Sequence, residues 1–121
     1  MLNCLAVAVG GFLGYVARYL LGMMLARESC AFPFNTFVIN VSGSFLIGVI
    51  AALSLKNPNI DPRLVLMIKV GLCGGFTTFS TFSLETLKLL ETGSYCWAGA
   101  YVVCSVFMCV SATFAEQLII K

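Results

Sequence analysis

The stretch GGFTTFSTFS, residues Gly74 to Ser83, decides how this chain is read. Two adjacent glycines open it, hydroxyl side chains follow, and Phe76, Phe79 and Phe82 recur at every third position. It lies inside an apolar run, Leu64 to Leu90, and a helix needs about 20 such residues to cross a bilayer. A lipid-facing helix has no use for that pattern. The Gly74-Gly75 pair is where a helix breaks most readily, because glycine gives up the most backbone freedom by staying helical. Unwound backbone at membrane depth is tolerated only when it is buried in protein or lines a cavity. The stretch therefore predicts a broken third helix whose freed carbonyl oxygens have a use.

The rest of the chain fits a membrane setting. Of its 121 residues 60% are hydrophobic and 10% charged, against about 25% charged in soluble domains. Three more runs are long enough to span: Leu2 to Leu25, Phe34 to Leu55 and Tyr95 to Ile120. The connections are short and marked by Pro33, by Asn57-Pro58-Asn59 with Asp61-Pro62, and by Glu91-Thr92-Gly93-Ser94. No cleavable signal pattern or extramembrane domain is expected. Residues 1–121 read as a single four-helix transmembrane domain, an all-α membrane protein whose function lies within the bilayer. Six scattered cysteines without a CxxC pair, and no histidine, argue against a zinc or redox site. They read as small apolar residues at helix interfaces. Nothing suggests an enzyme or a nucleic-acid partner.

Orientation ordinarily follows the Lys/Arg bias of short loops. With both termini on one side, that side holds Lys56, Arg63, Lys69 and Lys121, and the other holds Arg18, Arg27 and Lys88. Four against three is almost no bias. The chain is therefore expected to insert both ways, with dual topology, and to pair as an antiparallel homodimer. Small residues along the first three spans, among them Gly10, Gly14, Gly43, Gly48, Gly71 and Gly75, supply close helix contacts, as lipid-embedded helices require.

Polar residues form stripes. Thr36, Asn40, Ser44 and Gly48 recur at i+4 in the second span, as Tyr101, Ser105 and Cys109 do in the fourth. Each step drifts by only about 40° around a 3.6-residue helix, so each set stays near one face. An amide in hydrocarbon is costly unless it finds a partner. Asn40 therefore either bonds another helix or faces a polar pathway. Together with the Thr/Ser cluster, the stripes make a track of donors without an acidic residue, which suits a small anion. Phe79 and Phe82, three apart, share a helix face. A phenyl ring is positive at its edge, so the two rings would stabilise an anion without a formal charge. The carbonyls released by the break would hold a cation.

These residues resemble the CrcB/Fluc family of fluoride channels along essentially the whole chain. The match is carried by Gly14 to Arg18, by Asn40 to Gly48 (NVSGSFLIG), and most specifically by Gly74 to Ser83. The resemblance implies antiparallel homodimers in the membrane lipid, with two pores that pass fluoride passively out of the cytoplasm. It implies Asn40 as the pore amide, Phe79 and Phe82 as the paired rings, and Ser80 and Thr81 as neighbouring hydroxyls. Thr36, Tyr101 and Ser105 would form the polar track, with Arg18 as the basic residue near the pore entrance. Gly74 and Thr77 would offer backbone carbonyls, from both subunits, to a central structural sodium ion. The setting implied is the plasma (inner) membrane of a prokaryote, crossed several times.

The main rival is a small multidrug-resistance-type proton-coupled transporter, also dual-topology. It needs a membrane-embedded carboxylate, and the first three spans hold none near the midplane: Glu85 stands toward the end of the third, beyond the polar cluster.

Overall fold

Pro33 ends the first connection and stands as the N-cap of the second span, where its missing N–H costs nothing. In the computed structural model, which describes residues 1–27 and 29–120, every element is helical. Lys121, counted above for the charge balance, lies outside the described residues. The elements are α1 (Leu2–Leu25), α2 (Phe34–Lys56), α3 (Pro62–Leu66), a π-helical stretch (Met67–Leu72), α4 (Cys73–Phe76), α5 (Phe79–Glu91) and α6 (Tyr95–Ile119). Among the described residues four spans are long and apolar enough to cross a membrane: Leu2–Leu25, Phe34–Lys56, Pro62–Glu91 and Tyr95–Ile119. The 24 residues of α1 reach about 36 Å at 1.5 Å per residue, more than the hydrocarbon core of about 30 Å.

Local chemistry sets the ends. Asp61 caps α3 by accepting from the Arg63 N–H at 2.9 Å, with Pro62 in the first turn. Lys56 closes α2, where a cation suits the negative end of the helix, and its Nζ donates to the Ile120 carbonyl at 2.9 Å. Gly93, at φ +77°, makes the turn into α6 in a conformation that favours glycine.

Packing divides the molecule into two seams. α2 lies along α6, and α1 lies along the π-helical stretch and α4. Glycine makes the second seam possible. A Cβ on Gly14 would collide with the Leu72 carbonyl and stand 2.8 Å from the Phe76 nitrogen. One on Gly75 would stand 2.7 Å from the Gly11 carbonyl oxygen. Backbone meets backbone here, and neither side has a flexible atom to move. Gly74 differs, with nothing within 4 Å of the place its Cβ would occupy. Gly75→Ala is therefore expected to cost about 1–3 kcal/mol by forcing α1 away, while Gly74→Ala leaves the fold of one chain intact. Recovery of monodisperse protein after graded heating in detergent checks both; equal losses would contradict the seam.

The structure moves one expected feature. Gly74 and Gly75 are helical, and the residues with extended dihedrals are Thr77 (φ −79°, ψ 158°) and Thr78 (φ −150°, ψ 116°). The glycines serve the seam with α1, and helical geometry lapses three residues later.

Candidate functional site

Backbone released at Thr77–Thr78 needs partners, since an unpaired buried N–H or C=O is expensive. Asn40 on α2 supplies them. Its Nδ2 donates to the Thr78 carbonyl at 3.1 Å, and the Thr78 N–H donates to its Oδ1 at 2.8 Å. Of the two open readings of Asn40, the interhelical bond is present. The carboxamide still carries a second N–H, and Asn40 lines a cavity. Thr78 also caps α5: its Oγ1 accepts from the Thr81 N–H at 3.2 Å.

The cavity has a volume of about 560 Å³ and lies between α2, the third span and α6. Asn40, Ser44, Phe79, Phe82 and Ser105 line it, together with Lys69. Ser105 is 6% exposed, and its buried Oγ has no partner among the described residues. The Phe79 and Phe82 rings lie 5.4 Å apart, tilted by 43°. Phe82 is buried against Tyr101, whereas Phe79 is 78% exposed. No carboxylate is among the described residues lining the cavity. Its polar side chains are an amide, hydroxyls, two thiols and an ammonium, every one of them able to donate.

Thr36 and Tyr101 lie elsewhere. The Thr36 hydroxyl donates to Glu85 Oε1 at 2.6 Å, and the Tyr101 hydroxyl donates to Glu85 Oε2 at 2.8 Å. Tyr101 is fully buried, closed over by Phe32 in an edge-on contact at 5.4 Å. This corrects the expectation of a track free of acid: a carboxylate joins the two stripes at this level. Glu85 was legible from phase, because Phe82, Glu85 and Leu89 recur at i, i+3 and i+7 on one face of α5.

The remaining expected residues scatter. Ser80 and Thr81 belong to the capping cluster, with hydroxyl contacts to Thr78 at 3.4 and 3.1 Å, and neither lines the cavity. Arg18 also stands away from it; its Nη1 reaches the Thr77 carbonyl at 3.5 Å. Gly74 and Thr77 both line the cavity. The Gly74 carbonyl fits a role as cation ligand, because the N–H four residues on, that of Thr78, turns to Asn40 instead. The Thr77 carbonyl faces a guanidinium and has one lone pair to spare. A hard alkali cation takes such carbonyl oxygens, and no group of three or more His, Cys, Asp or Glu among the described residues offers another metal site.

Comparison with known proteins identifies the family. The pattern describing "CrcB-like protein, Camphor Resistance (CrcB)" matches residues 5–116. A protein of Nitrobacter hamburgensis called fluoride-specific ion channel FluC 1 is 46% identical over 118 residues, covering 97% of this chain and 94% of its own. The fluoride-specific ion channel FluC of Geobacter sulfurreducens is 47% identical over 116 residues, 95% of this chain and 94% of that one. That of Chlorobaculum tepidum is 42% identical across all of this chain and 96% of its own. With the family pattern matched over residues 5–116 and these full-length likenesses, the chain belongs to the CrcB-like family.

Proposed function

We propose that this chain is a fluoride channel, not an enzyme, which lets the ion leave the cytoplasm passively across the plasma membrane. The observation that carries the reading is the carboxylate-free cavity whose polar side chains are donors, with the buried Ser105 hydroxyl unpartnered. A small, strongly hydrated anion leaves water only if donors replace its shell. Asn40 and Ser105 supply N–H and O–H, and Phe79 and Phe82 supply positive ring edges. The relatives' names support fluoride as that anion. The multidrug-transporter reading has less support, since Glu85 is committed to two hydroxyls and lines neither cavity, and Glu116, the carboxylate of α6, stands three residues from the end of its span.

The working unit in this proposal is an antiparallel homodimer with two pores. The near balance of loop charge supports it. The Gly74 and Thr77 carbonyls of both subunits would hold a sodium ion, which supplies a fixed positive charge near the passing anion. Within the chain, Asn40 orients Thr77–Thr78 so that these oxygens are free of the helix.

One preparation tests the proposal: purified protein in liposomes loaded with potassium fluoride, with efflux read by a fluoride electrode after valinomycin is added. Fluoride should leave and chloride should stay. Replacing sodium throughout by N-methylglucamine should stop efflux, and restoring it should bring efflux back. A single terminal cysteine in a cysteine-free background should be labelled from both faces of the sealed vesicle. Fluoride retention sinks the channel, sodium-independent efflux sinks the ion, and one-sided labelling sinks the antiparallel pair.

A further inference from the structure

A second cavity of about 730 Å³ continues along the α2–α6 seam beyond the first. Ile47 and Lys69 line both cavities, so Lys69 stands at their junction. Lys69 follows Pro62 by seven residues, which places it about 10 Å into the span at 1.5 Å per residue. Its ammonium has no ion pair or hydrogen bond with a described residue. Facing the same second cavity is Glu116, on α6, 6% exposed, whose Oε2 is buried and has no partner.

Lys56 also lines this cavity, but its Nζ is engaged with the Ile120 carbonyl, so the exposed Lys69 and the buried acceptor are the two groups there that do not satisfy each other. They define complementary needs. The ammonium takes an anion; the carboxylate oxygen takes a proton donor and repels a bare anion. A hydrated small anion meets both, because the ion sits on Lys69 while a water of its shell donates to the Glu116 carboxylate through Oε1, the oxygen that is not closed off. The volume admits an ion with its water, each water occupying about 30 Å³.

We propose that the second cavity is a station for hydrated fluoride, with Lys69 holding the ion and Glu116 holding its water before the water is shed in the first cavity. This rests on the fluoride-channel reading and adds a site to it. Lys69 then governs how readily fluoride loads the route, more than how fast the narrowest part passes it.

The test uses two readouts on the purified full-length protein. In liposomes, initial efflux is measured against loaded fluoride concentration. In detergent, broadening of the ¹⁹F line of free fluoride reports binding directly. Lys69→Met should raise the half-saturating concentration about tenfold, as loss of a charge-assisted bond does, and remove most of the broadening. Lys69→Arg should restore both, which also guards against a folding defect in the Met variant. Glu116→Gln keeps an acceptor oxygen but removes the charge, and should lower the half-saturating concentration. Unchanged saturation and broadening in Lys69→Met would overturn the station and leave Lys69 paired with a lipid phosphate. Glu116→Gln weakening fluoride as Lys69→Met does would also overturn it. Should wild-type vesicles retain fluoride while ¹⁹F broadening still depends on Lys69, the channel reading falls and the anion station stands.

Discussion

Asn40→Asp is expected to abolish fluoride efflux from liposomes, more completely than Asn40→Ala. Asparagine donates to the Thr78 carbonyl and accepts from the Thr78 N–H, and aspartate keeps only the second bond. Its ionised carboxylate would stand against the Thr78 carbonyl and, because position 40 lines the cavity, would repel an arriving anion. Alanine loses both bonds but adds no charge. A lost hydrogen bond to a charged group costs about 1.5–3 kcal/mol, or roughly tenfold to more than a hundredfold in rate when the barrier feels all of it. Alanine falls in that range, and aspartate below it. Alanine also strips the partners from a buried Thr78, so its thermal midpoint should drop. Efflux from Asn40→Asp equal to wild type would remove Asn40 from the pathway.

The second large effect is expected at Phe82. Phe82→Ile keeps an apolar side chain and removes the ring, so efflux should fall by roughly tenfold to more than a hundredfold, the range of a lost charge-assisted bond. Phe82 also belongs to a buried cluster with Leu89, Ala98 and Tyr101, so part of any effect could come from packing. Phe79 separates the two causes. At 78% exposure it contributes little to the packing of one chain, and Phe79→Ile should lower efflux while leaving the thermal midpoint near wild type. Size exclusion shows whether either variant stays assembled. Wild-type efflux from both would return the rings to a packing role.

Both arguments depend on features of unequal legibility. The four spans were readable because each apolar run is nearly unbroken and ends at Pro33, at Asn57 to Pro62, or at Gly93. Their observed limits differ from the expected ones by one or two residues, as at Lys56 and Pro62. The lapse in the third span was misplaced because propensity is local and the cause is not. Gly75 is packed against α1 at Gly11, and helical geometry ends where Asn40, 38 residues away, captures Thr78. Glu85 was set aside by its distance along the chain from the Thr/Ser cluster, although phase on α5 brings it to Tyr101 and Thr36. Lys69 read as a charge within the third span, weighed only for orientation; the meeting of two cavities gives it a place.

Thr78 has the dihedrals of a β-strand, and Asn40 exchanges two bonds with its main chain, as a facing residue does in an antiparallel ladder. It is a one-residue strand whose partner is a side chain. Such pairing reads the backbone and ignores the side chain, so any residue except proline satisfies it. The Thr78 hydroxyl meanwhile caps α5, a task limited to a few polar residues. Two requirements thus fall on one position through different atoms: Thr78→Ala gives up the cap and keeps the ladder, while Thr78→Pro gives up the cap and the N–H half of the ladder.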